Sequence, residues 1–492
     1  MRYVDLGVIL VYLVAITWFG YRFKTSQSTL KNYFLGGRNA PWWAIAFSIV
    51  SAETSTLTVI GTPGLSFQGN FGFLQVVLGY LLARIVISVL FLPHYFRGEM
   101  FTAYELMQRR FGGRIRRFTA GTFLILRALA EGVRVFAVSL VISVILGTGE
   151  LPSILVIVAL TLFYTFEGGM TAVIWTDVVQ MILYIGGAVA SYFIILHQIP
   201  GGWGHVLDVA GPIRLTGPGK FQVFDFSFSP TVHFFKTSYS FWAGLVGGCL
   251  LTTSSHGTEQ LMVQRLLAAR SERESRLALF SSWLVIFFQF TLFLIIGALL
   301  YVHYHDVGKS VPPAVDRIYP DFIWSSLPMG MAGLVTAAIL AAAMSNLSAA
   351  LNSLASTTVM DFVKPLGRSR RNEQDYLKIA KIATVGWAVV LFAVGLLAQY
   401  YSHSVLEAGL TIASVLYGGL LGVFLLGLLT KTPGELAAIS GMCAGLVATI
   451  IAQRYVAYTW YVLIGSMVTI ATGLLVGLFD RQPSVDSVVE NP

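Results

Sequence analysis

Ser51-Ala52-Glu53-Thr54-Ser55-Thr56 interrupts an otherwise apolar stretch, Trp42–Phe67. Six small or polar residues at mid-span have no use in a helix that faces lipid. Unwound backbone at membrane depth is tolerated only where it lines a protein cavity. A second apolar stretch, Phe241–Val263, carries Thr252-Thr253-Ser254-Ser255-His256-Gly257-Thr258. Small polar residues also serve close helix packing. If both runs are breaks, they open two blocks of five segments, the pattern of an inverted-repeat transporter, in which freed carbonyls can coordinate a cation.

Around these two runs the chain reads as an all-α polytopic membrane protein. Of its 492 residues 56% are hydrophobic and 11% charged, against about 25% charged in soluble domains. Mean hydropathy is +0.74. This excludes a soluble enzyme, a disordered chain and a nucleic-acid binder. The net charge of +8 sits in short clusters between apolar runs. Cys249 and Cys443 lie in apolar segments, so no disulfide framework or thiolate metal site is expected. A spanning helix needs about 20 mostly apolar residues. Thirteen segments qualify: Val4–Tyr21, Trp42–Phe67, Phe73–Pro93, Phe118–Leu146, Leu151–Phe166, Ala172–His197, Phe241–Val263, Leu279–Tyr301, Leu334–Met360, Ile382–Tyr400, Val405–Leu429, Leu436–Ile451 and Trp460–Phe479. The first lacks a basic n-region and a cleavage site and reads as a retained helix. The expected organisation is 1–40, a leading helix and loop; 41–200, a first repeat; 201–430, a polar loop and second repeat; and 431–492, two peripheral helices and a tail.

Loop charges set the orientation. One side carries 22 Lys and Arg, including Arg114 and Arg370, and the other 7, including Lys220 and Lys309. The basic side is expected to be cytoplasmic, with the N-terminus outside.

Three arginines, Arg84, Arg127 and Arg134, and four acids, Glu53, Glu131, Asp177 and Glu259, fall within or at the ends of spans. Buried charges of this kind are functional candidates by default. Arg127, Glu131 and Arg134 share one helix face. Glu131 can neutralise one arginine, which leaves one guanidinium over. It is either part of a structural clamp or a bidentate grip for a carboxylate. Glu53 either pairs with Arg84 or Arg134, or titrates and couples protons.

Leu334–Met360 contains Ala341-Ala342-Ala343-Met344-Ser345-Asn346-Leu347-Ser348. Alanines permit close approach to the first broken segment, and the polar residues supply oxygens. A sodium ion takes about five or six hard oxygens, and carbonyls and hydroxyls suit it. The chain has no Walker sequence, no His/Cys metal spacing and one mid-span histidine, His256. An ion gradient is therefore favoured over ATP as the energy source.

At these residues the chain resembles the sodium:solute symporter family, which has the leucine-transporter-type fold. The match lies in Tyr164-Thr-Phe-Glu-Gly168-Gly169-Met170-Thr-Ala172-Val-Ile-Trp-Thr176-Asp177-Val-Val-Gln180. It is supported by Val59-Ile-Gly61-Thr-Pro63, Glu259-Gln260-Leu-Met-Val-Gln264-Arg265, Leu351-Asn352-Ser353 and Phe424-Leu-Leu-Gly427. The resemblance implies a main sodium site from Ser51 and Thr54 carbonyls, the Ala342 carbonyl, Ser345 and Asn346. Asn346 stands where the family usually has Ser or Thr, and its amide oxygen can still coordinate. A second sodium site is implied at Asp177, Ser345 and Ser348, although Ala349 replaces a serine found in members that have one. Substrate contacts are expected from Ser55, Thr58, Gln75, Arg134, Thr252 and Ser255, with Glu53 as a coupling candidate.

The expected function is a sodium-coupled symporter that imports a small organic solute, carboxylate-bearing on the argument of the leftover arginine, across the plasma (inner) membrane. Its partners are the solute, sodium and the bilayer, with no organic cofactor and no nucleic acid. The alternatives are proton coupling, a neutral solute such as a sugar, or a transporter-like sensor. The thirteen residues after Phe479 speak against the sensor. An enzyme is not expected, because no nucleophile–base constellation is visible.

Overall fold

The computed structural model describes residues 3–23, 29–98, 100–146, 150–229, 231–308, 315–366, 372–398 and 405–480. The described chain is almost wholly helical. Its main helices are α1 (Tyr3–Tyr21), α2 (Trp42–Glu53), α3 (Thr56–Gln68), α4 (Leu74–Tyr95), α5 (Gly113–Leu146), α6 (Glu150–Gln198), α7 (Phe241–Gly257), α8 (Gln260–Leu267), α9 (Glu272–Val307), α10 (Met331–Leu366), α11 (Glu373–Ala398), α12 (Val405–Leu429), α13 (Glu435–Ala452) and α14 (Tyr458–Gly477).

Helix is present at each of the thirteen expected segments. Among the described residues, nine helices are long and apolar enough to cross a membrane, and the α2–α3 pair makes a tenth. The others fall short for identifiable reasons. Helix α5 carries Arg127, Glu131 and Arg134, the first limb of α6 is short, and α7 and α8 are separated by a break. Arg2, Lys24, Lys309, Arg368, Arg370, Arg371 and Arg481, which entered the orientation argument, lie outside the described residues.

Polar sequence bends the first span as expected. Helices α2 and α3 meet at 64°. Thr54 (φ −86°, ψ 102°) and Ser55 (φ −94°, ψ 169°) are extended. Ser55 caps α3 reciprocally with Thr58: the Thr58 amide donates to Ser55 Oγ, and the Ser55 amide donates to Thr58 Oγ1. That capping box takes the Ser55 amide away from the Ser51 carbonyl it would meet in a continuous helix.

The second break differs from expectation. Thr252 to Gly257 stay helical, and the chain breaks at Thr258 and Glu259. Two hydroxyls of this run bond back to the helix itself, Ser255 Oγ to Thr252 O and Thr258 Oγ1 to Ser254 O, while Ser254 Oγ donates to Tyr417 O of α12. A side chain satisfied in this way leaves the helix intact. The helix stops where Glu259 turns away to meet Arg127 and the Tyr417 hydroxyl.

The two blocks interlock at close range. A Cβ on Gly79 of α4 would lie 2.6 Å from the Leu245 carbonyl of α7, and one on Gly248 would strike the Val76 carbonyl. Backbone therefore packs on backbone between α4 and α7. Gly169, at φ 54°, kinks α6 within the stretch that carries the family resemblance. Helix α10 runs through the centre, almost wholly buried. Helix α1 is docked on it through Asp5, whose Oδ1 accepts from the Gly330 and Gly333 amides at 2.8 and 2.6 Å.

Candidate functional site

Three carbonyls converge where α2 breaks against α10. The break frees Ser51 O and Thr54 O, and Ala342 O faces them from α10. All three accept from one group, Asn346 Nδ2, at 3.3, 2.8 and 3.2 Å. Ser345 stands beside them. Its Oγ donates to Asp177 Oδ1 at 2.6 Å, so the 2.7 Å contact with Ser51 Oγ is donated by Ser51. Ser51, Thr54, Ala342, Ser345 and Asn346 are thus brought together as expected. The amide orientation is opposite to the expected one, with nitrogen and not oxygen toward the carbonyls. Three acceptors repel an oxygen and attract an N–H, which sets this orientation.

Asp177 is buried next door, but not as a vacant acidic site. Arg265 Nη2 donates to its Oδ2 at 2.8 Å, and Ser48 Oγ donates to the same oxygen at 2.5 Å. Arg265 Nε also reaches Ser48 Oγ at 2.8 Å. Ser348, expected beside Asp177, bonds instead to Ser345 O within its own helix. A guanidinium from α8 therefore sits where the second sodium was expected. The spacing in the sequence gave no sign of it.

A cavity of about 130 Å³ opens on the other side of the break. Ser55, Thr58, Arg134, Thr252 and Ser255 line it as expected, and so does Glu53. Gln75 does not. It is buried, its Nε2 donates to Gly72 O and Tyr239 O, and its Oε1 accepts from the Asp225 amide. It ties down the 199–240 loop, because an amide offers both the donor and the acceptor that a loop backbone requires. Further wall residues were not anticipated: Tyr80, Phe73, Phe290 and Tyr417.

The charges around the cavity are fully paired. Glu53 Oε2 accepts from Arg84 Nη2 at 2.9 Å and from His256 Nε2 at 3.2 Å. This is the paired arrangement, with Arg84 and not Arg134 as the partner. Glu131 Oε2 accepts from Arg127 at 2.7 Å and from Arg134 at 3.1 Å. The expected leftover arginine is corrected by Glu259, whose Oε1 accepts from Arg127 Nη1 at 3.0 Å while Tyr417 donates to its Oε2. The three acids Glu53, Glu131 and Glu259 balance Arg84, Arg127 and Arg134. Arg134 alone among these arginines is partly open, with 25% of its side chain accessible.

The comparisons with known proteins agree with this architecture. A family model described as the sodium:solute symporter family matches residues 33–445. The sodium/sialic acid symporter SiaT of Proteus mirabilis is 26% identical over 96% of this chain and 94% of its own length. The human sodium/iodide cotransporter is 29% identical over 90% of this chain and 68% of its own. Human sodium-coupled monocarboxylate transporter 1 is 27% identical over 85% of this chain and 67% of its own. A solved structure of a Na+-coupled sialic acid symporter, substrate-bound and outward-open, superposes with a TM-score of 0.87 at 25% identity, covering 97% of this chain and 99% of that one. The nucleobase-cation-symport-1 transporter MHP1 in a closed conformation, at 12% identity and a TM-score of 0.59, shares the fold.

Proposed function

This chain belongs to the sodium:solute symporter family and is a multi-pass, sodium-coupled transporter of a small organic solute, not an enzyme; from that premise we propose that its solute carries a carboxylate and is held by Arg134. One observation carries the reading. Arg134 presents a partly open guanidinium to the cavity and shares its single acidic partner with Arg127. The relatives named for sialic acid, monocarboxylates and iodide all concern anions, which supports it. Because the cavity charges balance, an entering anion and one sodium ion leave the loaded site neutral.

The coupling ion belongs at the α2–α10 crossing, with the Ser51, Thr54 and Ala342 carbonyls, Ser345 Oγ and Asn346 as its partners. A bound cation there ties the broken span to the central helix and so shapes the cavity beside it. Solute then favours sodium binding by the same factor, as linkage demands. We assign Glu53 to holding α2 against α4 through Arg84, and not to proton transfer. One sodium site is proposed, because Arg265 serves Asp177.

The test is a thermal-shift screen of purified protein against carboxylates and neutral sugars, in sodium and in choline. Carboxylates should stabilise the protein, and more so in sodium. Arg134→Lys keeps the charge but loses the fork, so carboxylate affinity should fall by roughly 1–3 kcal/mol. A neutral sugar as the best ligand overturns the assignment. The basic loops belong in the cytoplasm of a cell with this protein in its plasma membrane. Cysteines placed at Arg114 and Lys220 should therefore label from the inside and the outside respectively, and external labelling at 114 reverses the topology.

A further inference from the structure

We propose that Asn346 is a built-in stand-in for the coupling ion: its side-chain NH2 fills the cradle of Ser51, Thr54 and Ala342 carbonyls when sodium is absent, and sodium enters only by displacing it. The inference rests on the sodium site proposed above and concerns how that site is controlled.

The geometry has two halves. On one side, Nδ2 reaches all three carbonyls at 2.8 to 3.3 Å. An amide NH2 has two hydrogens for these three acceptors, so the filling is adequate but incomplete. A cation satisfies all three at once. On the other side, Asn346 Oδ1 is buried and accepts no hydrogen bond among the described residues. An orphaned buried acceptor is unfavourable, and it gains when the amide turns. Half a turn about the terminal torsion exchanges the two atoms. The NH2 leaves the carbonyls, and the orphan oxygen arrives at the ion. One side chain therefore closes the cradle without sodium and completes it with sodium.

Room for the movement is present. A void of about 10 Å³ lies against Asn346, lined also by Ser55, Glu131 and Arg134, close to the lower limit for one water. It places the amide next to the arginine of the solute site. The neighbouring Asp177 makes the contrast clear. Its stand-in is the Arg265 guanidinium, a fixed charge with no acceptor atom to offer an ion. Arg265 closes its locus with a charge paired to Asp177, whereas the neutral Asn346 amide can yield.

The direction of one substitution decides the matter. If Asn346 were an ordinary ligand, shortening it would weaken sodium binding. If it is a stand-in, Asn346→Ser removes the competitor, keeps a hydroxyl and tightens binding. The experiment measures equilibrium 22Na+ binding to the purified full chain without solute, with choline holding ionic strength constant. Asn346→Thr is a second variant in case the serine form folds poorly, and thermal unfolding in choline checks that each protein is folded. The half-saturating sodium concentration should fall by about tenfold in each folded variant, the equivalent of one ordinary hydrogen bond. Sodium should also raise the unfolding temperature of the variants more than that of the native chain. Unchanged or weaker binding in the folded variants overturns the stand-in while leaving a sodium site in place. If the native chain and both folded variants bind no 22Na+, the sodium site itself falls, and the stand-in with it.

Discussion

The two broken helices solve the same problem in opposite ways. At Thr54–Ser55 the freed groups are neutral carbonyls, and one amide from another helix satisfies them. At Thr258–Glu259 the break turns a carboxylate inward, where Arg127 and the Tyr417 hydroxyl hold it. Hydrogen bonds to charged groups are roughly twice as strong as neutral ones. The first break is therefore built to be re-filled and the second to stay shut. A backbone discontinuity alone does not mark an ion site. The charge of the group that fills it decides whether an ion can compete.

The largest effect should come from the second break. Glu259→Ala leaves Arg127 sharing Glu131 with Arg134, an uncompensated buried charge. Such a loss destabilises by about 3–5 kcal/mol, read as a large drop in unfolding temperature and in folded yield. Removing both partners, Arg127→Met with Glu259→Met, should recover most of it, because Glu131 and Arg134 remain a balanced pair. If Glu259→Ala unfolds at the native temperature, the contrast between the breaks collapses.

A middling effect is expected at the first break. Ser345→Ala deletes the hydroxyl that links Ser51 to Asp177 and one proposed sodium partner. The sodium concentration for half-maximal uptake should rise by about tenfold, one hydrogen bond's worth. Ser466 is the control, since its Oγ bonds back to Val462 O in α14. An equal rise in Ser466→Ala means that the ion site lies elsewhere.

The smallest effect tests the cap. Ser55→Ala removes the side-chain acceptor of the Thr58 amide, worth about 1 kcal/mol for an N-cap. Unfolding temperature should fall modestly while half-saturation of sodium binding measured without solute stays near the native value. A sodium defect as large as that of Ser345→Ala would show that the cap and the cradle are one unit.

Much of this was legible in the sequence, and the failures have a common cause. The first break could be read because Ser51 to Thr56 put small polar residues where a helix has no apolar continuity. The second was misplaced by composition, since Thr258 and Ser255 hydroxyls bonded to their own helix look the same in sequence as hydroxyls at a break. Periodicity put Arg127, Glu131 and Arg134 on one face, where Glu131 can neutralise one arginine. It could not pair Arg127 with Glu259, 132 positions away. Gln75 was given to the solute because an amide suits a ligand and a loop backbone equally well. Asn346 was identified as the departure from the family pattern, but its orientation depends on three carbonyls that only the fold assembles.

The backbone contact between α4 and α7 has a mechanical consequence. At Gly79 and Gly248 no side chain stands between the two helices to act as a bearing. Interleaved main chains of this kind cannot roll or slide past each other without first coming apart. In any motion of the transporter the pair therefore moves as one body, and bending falls to the α2–α3 and α7–α8 breaks. A transporter made this way has its stiffness set by two glycines and its freedom set by two breaks.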